Sequence, residues 1–160
     1  MNTIVVYDSQ FGNTERIAQT IADTLQAFGQ ARAVRVDSAH QVSFQGVDLL
    51  ILGSPTQGFR PTLAMQSFLR HLSSQSLNGL AVACFDTRFN GFLWKSSAAP
   101  RMAKQLRALG FDSLIPPESF FVKSMKQEGP LIAGEVERAT TWALGIHHQY
   151  ETQEVHFAAR

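Results

Sequence analysis

The sequence predicts an α/β fold, a doubly wound five-stranded parallel sheet with helices on both faces in a three-layer α/β/α arrangement. Three observations lead there. Short β-rich runs alternate with longer segments of helical period along the whole chain, which is the pattern of parallel strands joined by crossover helices. The run Val47 to Leu52 is apolar almost throughout, as a central strand covered on both faces must be. With 160 residues, 44% of them hydrophobic and 17% charged, the chain is long and apolar enough for one domain with a sizeable core.

Thr3 to Asp8 is a compact apolar run suited to a buried first strand. The helix expected after it, Thr14 to Phe28, places Ile17, Ile21, Leu25 and Phe28 on one stripe and meets Gly29 as a C-terminal cap. Ala31 to Val36 is the second strand and Val47 to Leu52 the third. The loop Gly53 to Pro61 then leads to a helix over Thr62 to Leu72. Leu80 to Phe85 is the fourth strand, and Ala98 to Leu109 a helix closed by Gly110. Ser119 to Val122 is the fifth strand, entered through the bend at Pro116-Pro117. The last helix is expected from Gly134 to Tyr150, with Glu135 and Glu137 favourably placed against its dipole. Residues 1–150 thus form the domain and residues 151–160 a loosely held C-terminal tail.

No apolar stretch approaches the roughly 20 residues a spanning helix needs. Met1-Asn2-Thr3 leads into only Ile4-Val5-Val6 before Asp8, so a secretory leader is not expected and the reading is cytoplasmic. Cys84, the single cysteine, rules out an internal disulfide and fits a buried strand position in a reducing compartment. The five histidines show no ligand pairing, so no metal is assigned. Redox chemistry in this chain needs a borrowed cofactor.

The formal net charge of +1 hides an uneven distribution. From Leu49 to Phe111 the only acid is Asp86, against Arg60, Arg70, Arg88, Lys95, Arg101, Lys104 and Arg107. Acids gather in the flanks. A positive middle attracts an anionic ligand or an acidic partner. The bases form no run and come with no nucleic-acid motif, so nucleic acid is not expected.

In a doubly wound sheet the ligand sits outside the carboxyl ends of the strands, which directs attention to the loops 8–14, 53–61 and 86–97. Ser9-Gln10-Phe11-Gly12-Asn13-Thr14 joins a strand to a helix and has the parts of a phosphate site: backbone N–H groups, the positive end of a helix, hydroxyls and an amide. It holds no lysine or arginine, so neutral donors and the dipole would carry the anion. An ordinary helix cap at Asn13 or Thr14 accounts for the same residues. Other doubly wound families fail on their own chemistry. A response regulator needs an aspartate after strand three, where Gly53-Ser54 stand, and Cys84 to Arg88 lacks the spacing of a phosphatase loop. Neither G-x-G-x-x-G nor G-x-x-x-x-G-K-[ST] occurs.

Ser9 to Thr14 after Ile4-Val5-Val6-Tyr7, taken with Asp48-Leu49-Leu50-Ile51-Leu52-Gly53-Ser54-Pro55-Thr56-Gln57-Gly58, resembles the flavodoxin family. The resemblance runs from about Met1 to Ile146. It implies the strand order 2-1-3-4-5 and FMN as cofactor, with its phosphate on Ser9, Gln10, Phe11, Gly12, Asn13 and Thr14. The ring would lie between Ser54, Pro55, Thr56, Gln57, Gly58 and Phe59 on one side and Asp86, Thr87, Arg88, Phe89 and Trp94 on the other. Gly58 matches the family glycine whose peptide turns toward the reduced ring. The chain departs from the family in having Gln57 where tryptophan is common and Phe11 at a hydroxyl position of the first loop. The third loop offers Phe89, Phe92 and Trp94 in place of a tyrosine.

The resemblance implies an electron-transfer protein that meets redox partner proteins transiently, and the positive middle suggests that those partners dock through acidic surfaces, in contrast to the strongly acidic flavodoxins that dock on basic reductases. Two other roles stay open on the residues: an FMN-dependent oxidoreductase acting on a small molecule such as a quinone, and an interaction module without flavin. Arg60 and Arg88 in the bracketing loops are expected to stabilise negative charge on the ring and make it easier to reduce.

Overall fold

The computed structural model describes residues 1–72, 79–90, 96–111, 113–124 and 129–158, with side chains through Gln153. The strands are β1 (Asn2–Tyr7), β2 (Gln30–Arg35), β3 (Leu49–Pro55), β4 (Ala81–Phe89) and β5 (Glu118–Val122). They pair in parallel in the order β2-β1-β3-β4-β5. The helices are α1 (Asn13–Leu25), α2 (Leu63–Leu72), α3 (Ala98–Ala108) and α4 (Glu135–Ala158).

The pleat divides the core in two. On β3, Leu50 and Leu52 join Met65, Phe68 and Leu72 of α2 and Met102 and Leu106 of α3. Leu49 and Ile51 face the other way, onto Ile17, Ile21 and Leu25 of α1 and Ala139, Ala143 and Ile146 of α4. A strand buried on both faces has no polar side to show, which is why Val47 to Leu52 reads as a continuous apolar run. Opposite faces of the sheet therefore carry the pairs α2–α3 and α1–α4.

Four elements, α1, β3, β4 and α4, end three or more residues from where the sequence places their ends. α1 stops at Leu25 and a short 3-10 turn carries Phe28 off the stripe, where it stacks on His147 at 3.7 Å. β3 runs three residues past Leu52, to Pro55. β4 runs four residues past Phe85, so Asp86, Thr87, Arg88 and Phe89 belong to a strand rather than a loop. Their partners on β5 run from Ser119 to Val122, and β5 itself begins at Glu118, opposite Phe85, one residue before the strand expected there. α4 continues from Tyr150 to Ala158, so residues 151–158, expected as tail, prolong the helix.

Beneath the carboxyl ends of the strands, Gly53 pairs with Phe85, and a Cβ on Gly53 would come within 2.1 Å of the Phe85 ring. The ring is held in turn by edge contacts with Phe120 at 5.9 Å and Trp142 at 6.0 Å. Gly53 thus leaves room for an aromatic floor. Gly53→Ala is expected to lower stability by about 1–3 kcal/mol through overpacking, with the double change Gly53→Ala/Phe85→Leu recovering most of it in urea unfolding.

The end of β1 is tied to the first turn of α1 by the Tyr7 hydroxyl, which donates to Glu15 Oε1 at 2.7 Å. Burial, and then the hydrogen bond and negative charge of Glu15, push the phenol up to about 12 from 10.0. The folded state holds this proton more tightly than the unfolded chain does. The contribution to stability is therefore complete below about pH 10 and is lost as pH rises toward 12. With only two tyrosines in the chain, an ultraviolet titration resolves the late phenol, and Glu15→Gln is expected to bring it down.

Candidate functional site

A cavity of about 310 Å³ opens at the carboxyl ends of β1, β3, β4 and β5. It is lined by Gln10, Phe11, Asn13 and Thr14 from the first loop, by Pro55, Thr56, Gln57 and Gly58 after β3, by Thr87, Arg88 and Phe89 of β4, and by Val122 and Ser124 at the end of β5. The volume is at the lower bound of small-molecule sites.

The first loop is shaped by Ser9, which is buried and does not reach the cavity. Its Oγ accepts the N–H of Gly12 at 3.1 Å and that of Glu15 at 3.3 Å. Arg35 of β2 donates to the Ser9 carbonyl at 2.9 Å and lies 3.5 Å from Asp8, holding the turn from behind. Gly12 caps α1 at φ 84 and accepts from Arg16, a conformation that costs a residue with a side chain about 1–2 kcal/mol. The expected caps Asn13 and Thr14 instead form the first turn of α1. That leaves their side chains free to work elsewhere. Thr14 Oγ1 meets Thr87 Oγ1 at 2.7 Å, and Asn13 Nδ2 donates to the Gly129 carbonyl at 2.7 Å. Gln57 Nε2 donates to Gln10 Oε1 at 2.6 Å, joining the first and second loops across the cavity.

The second loop turns sharply. Gln57 and Arg60 exchange backbone hydrogen bonds at 2.9 and 3.0 Å, and both residues between them have positive φ, 51 at Gly58 and 64 at Phe59. Only a two-residue hairpin of mirror-image geometry needs two such residues. Phe59 is the sole described residue other than glycine in that region, and it is half exposed, outside the cavity lining. Ser54 is also outside. Its buried hydroxyl accepts from Thr62 at 3.1 Å and donates to the Pro55 carbonyl at 3.0 Å, so it braces the loop.

On β4 the pleat separates neighbours. Thr87 points to α1 and the cavity, while Asp86 points to the α3 layer, is fully buried and accepts the Ala99 N–H at 2.8 Å. Arg88 Nε lies 3.9 Å from Asp86 Oδ1, donates to Ser119 Oγ at 3.1 Å, and its guanidinium sits 5.0 Å from the centre of the Phe121 ring. Its charge is thus opposed by a carboxylate in low dielectric. The expected pair of uncompensated cations beside a ring is not formed, because Asp86 offsets Arg88 and Arg60 lines a different cavity. Trp94 and Phe92 lie outside the described residues.

Of the residues expected to hold a cofactor, the structure gathers Gln10, Phe11, Asn13, Thr14, Pro55, Thr56, Gln57, Gly58, Thr87, Arg88 and Phe89 around one cavity. Ser9, Gly12, Ser54 and Asp86 stand behind it. Val122 and Ser124 were not expected. The rule that ligands sit at the carboxyl ends of parallel strands, applied to the fifth strand, would have found them. Burial raises the Cys84 thiol far above its ordinary range, consistent with an inert core residue. Among the described residues no group of three His, Cys, Asp or Glu is placed to hold a metal, and no helix is long and apolar enough to cross a membrane.

The donor set suits a phosphate ester joined to a flat apolar ring. The N-terminus of α1, with Asn13 and Thr14 in its first turn, borders the cavity, and Phe11, Pro55, Phe89 and Val122 supply apolar walls.

The Flavodoxin family model matches residues 5–143. A flavodoxin of Nitratidesulfovibrio vulgaris (strain DSM 19637 / Miyazaki F) is 26% identical over 118 residues, covering 69% of this chain and 78% of that protein. Among solved structures, a flavodoxin from the domain Archaea superposes with a TM-score of 0.75 at 18% identity, covering 94% of this chain and 99% of that one. A Streptococcus pneumoniae TIGR4 flavodoxin gives 0.74 at 20% identity, covering 93% and 99%. The rubredoxin oxygen:oxidoreductase of Desulfovibrio gigas gives 0.76 at 18%, where the match covers 94% of this chain but 36% of that larger one. The structural likenesses speak for the fold; the family model spans most of the sequence. On these grounds the chain belongs to the flavodoxin family, whose members carry electrons on a bound flavin.

Proposed function

We propose that the protein binds FMN without a covalent bond and serves in the cytoplasm as an electron carrier between protein partners. The observation that carries this reading is the meeting of the α1 N-terminus and Thr14 with an apolar-walled cavity at the strand ends. When bound, FMN supplies a group that accepts and returns one or two electrons. The chain's own residues do the rest. The N–H groups at the start of α1 and the hydroxyl of Thr14 hold the phosphate, and the dipole of α1 favours its charge. Phe11, Pro55 and Phe89 keep water from the ring. At Gly58 no side chain resists rotation of the peptide facing the cavity. The Asp86–Arg88 pair adds little net charge, so these residues leave the flavin potential largely to the ring's apolar surroundings. A partner with an acidic docking surface would be matched by the basic residues between Leu49 and Phe111.

Titration of the purified chain with FMN, followed by quenching of flavin fluorescence, is expected to show binding at micromolar concentration or tighter. Riboflavin, which lacks the phosphate, is expected to bind far more weakly. Thr14→Ala should weaken FMN uptake by about tenfold or more, since a hydrogen bond to a charged group contributes about 1.5–3 kcal/mol, while Thr14→Ser keeps the hydroxyl and the affinity. Failure of FMN to bind, or equal binding by the Thr14→Ala variant, overturns the reading.

A further inference from the structure

A second cavity of about 210 Å³ lies between the end of the 57–60 turn and the helices α2 and α3. Arg60, Arg101 and Lys104 line it, with Gln66, Gln105 and Pro61. Arg60, Arg101, Lys104 and Gln105 are exposed, and the three cations have no acidic partner among the described residues. Gln66 is fixed by donating to the Pro61 carbonyl at 2.7 Å. Arg101, Lys104 and Gln105 share one face of α3, being three and four residues apart.

This cluster is the focus of a charge division running through the molecule. The helices of one face, α2 and α3, carry Arg70, Arg101, Lys104 and Arg107 and no acid. Those of the other face, α1 and α4, carry among the described side chains Glu15, Asp23, Glu135, Glu137 and Glu151 against Arg16 and Arg138. The one acid between Leu49 and Phe111, Asp86, is fully buried. A molecule with opposite charge on its two faces turns as it approaches a charged surface, and such orientation raises the rate of productive encounter. A small ion gains nothing from it. A nucleic acid, long enough to pass both faces, would be repelled by the acidic one.

The cluster also adjoins the first cavity. Arg60 closes the turn whose Gln57 and Gly58 line that cavity, and Thr56 Oγ1 accepts the N–H of Ala98, the first residue of α3, at 2.9 Å. Beside Arg60 in the chain, Phe59 is 53% exposed and Leu63 81% exposed, which adds apolar surface to the basic rim. Arginine guanidinium groups pair with carboxylates in two parallel hydrogen bonds, and apolar contacts at the centre of an interface exclude water from such pairs.

We propose that the face built from Arg60, Arg101 and Lys104, with Phe59 and Leu63, is the docking surface for an acidic protein partner, seated beside the mouth of the flavin cavity. It rests on the carrier reading for what the partner exchanges, though not for the binding itself. The test uses the full chain labelled with 15N and an acetylated, amidated hexaglutamate peptide as the probe of a carboxylate cluster, at low ionic strength. Backbone shifts are expected to gather at residues 59–66 and 98–105. The charge-reversed variant Arg101→Glu/Lys104→Glu should bind the peptide at least tenfold more weakly, as should the wild type at about 0.15 M salt, where exposed charges are screened within about 8 Å. FMN titrated in parallel should bind the variant as it binds the wild type. Peptide shifts at these residues without FMN uptake would leave the docking surface standing and remove the carrier reading. Shifts scattered or centred elsewhere, or undiminished binding by the variant, overturn the docking surface. So does tighter binding at the same residues by inorganic pyrophosphate, which marks a small-anion site, or by oligothymidylate, which marks a nucleic-acid surface.

Discussion

The pleat of β4 is the constraint on which the rest of the site depends. Successive side chains of a strand point to opposite faces, and β4 keeps that alternation four residues beyond its apolar core. Phe85 therefore turns to α4 and makes the floor under Gly53, and Thr87 turns to α1 and meets Thr14. Asp86, between them, turns the other way and receives the first turn of α3. A slip of one residue would bury Thr87 under α3 and place a carboxylate against the N-terminus of α1, where it would compete with any anionic ligand.

The same alternation explains why the site is electrically quiet. A buried carboxylate with an arginine 3.9 Å away changes the field much less than either charge alone. The remaining attraction for an anion comes from backbone N–H groups and the dipole of α1, which are fixed in place by Ser9, Gly12 and Arg35 before any ligand arrives. Donors already oriented lose little entropy on binding. Arg60, Arg101 and Lys104 stand outside the cavity, beside α2 and α3, where water screens them and they act at longer range.

Much of the fold was legible because its signals are local. The apolar run at Val47 to Leu52, the stripe Ile17, Ile21 and Leu25, and the turn residues between them report period and burial directly. Ends were less legible. Asp86-Thr87-Arg88 looks like a loop by composition, and only pairing with Ser119, Phe120 and Phe121 makes it a strand. Phe28 fits the helical stripe by spacing, yet the chain must leave α1 early to reach β2 beside β1, so its ring lies on His147. Within the site, the first loop could be located because strand, glycine and helix start are contiguous, but that Ser9 and Gly12 stand behind the cavity depends on the turn they shape. Val122 and Ser124 could not, since nothing near them in sequence marks a cavity wall.

Neighbouring residues alone set the alternation of strands and helices, the glycine-bearing loop between β1 and α1 and the concentration of bases between Leu49 and Phe111. Tertiary structure decided which of those residues act together. It set Arg88 against Asp86, drew Arg60 away from the first cavity to stand with Arg101 and Lys104, and brought Thr14 to Thr87 across 73 positions of chain. Those outcomes follow from strand register and from the face each side chain takes, and both are settled only when distant segments pair.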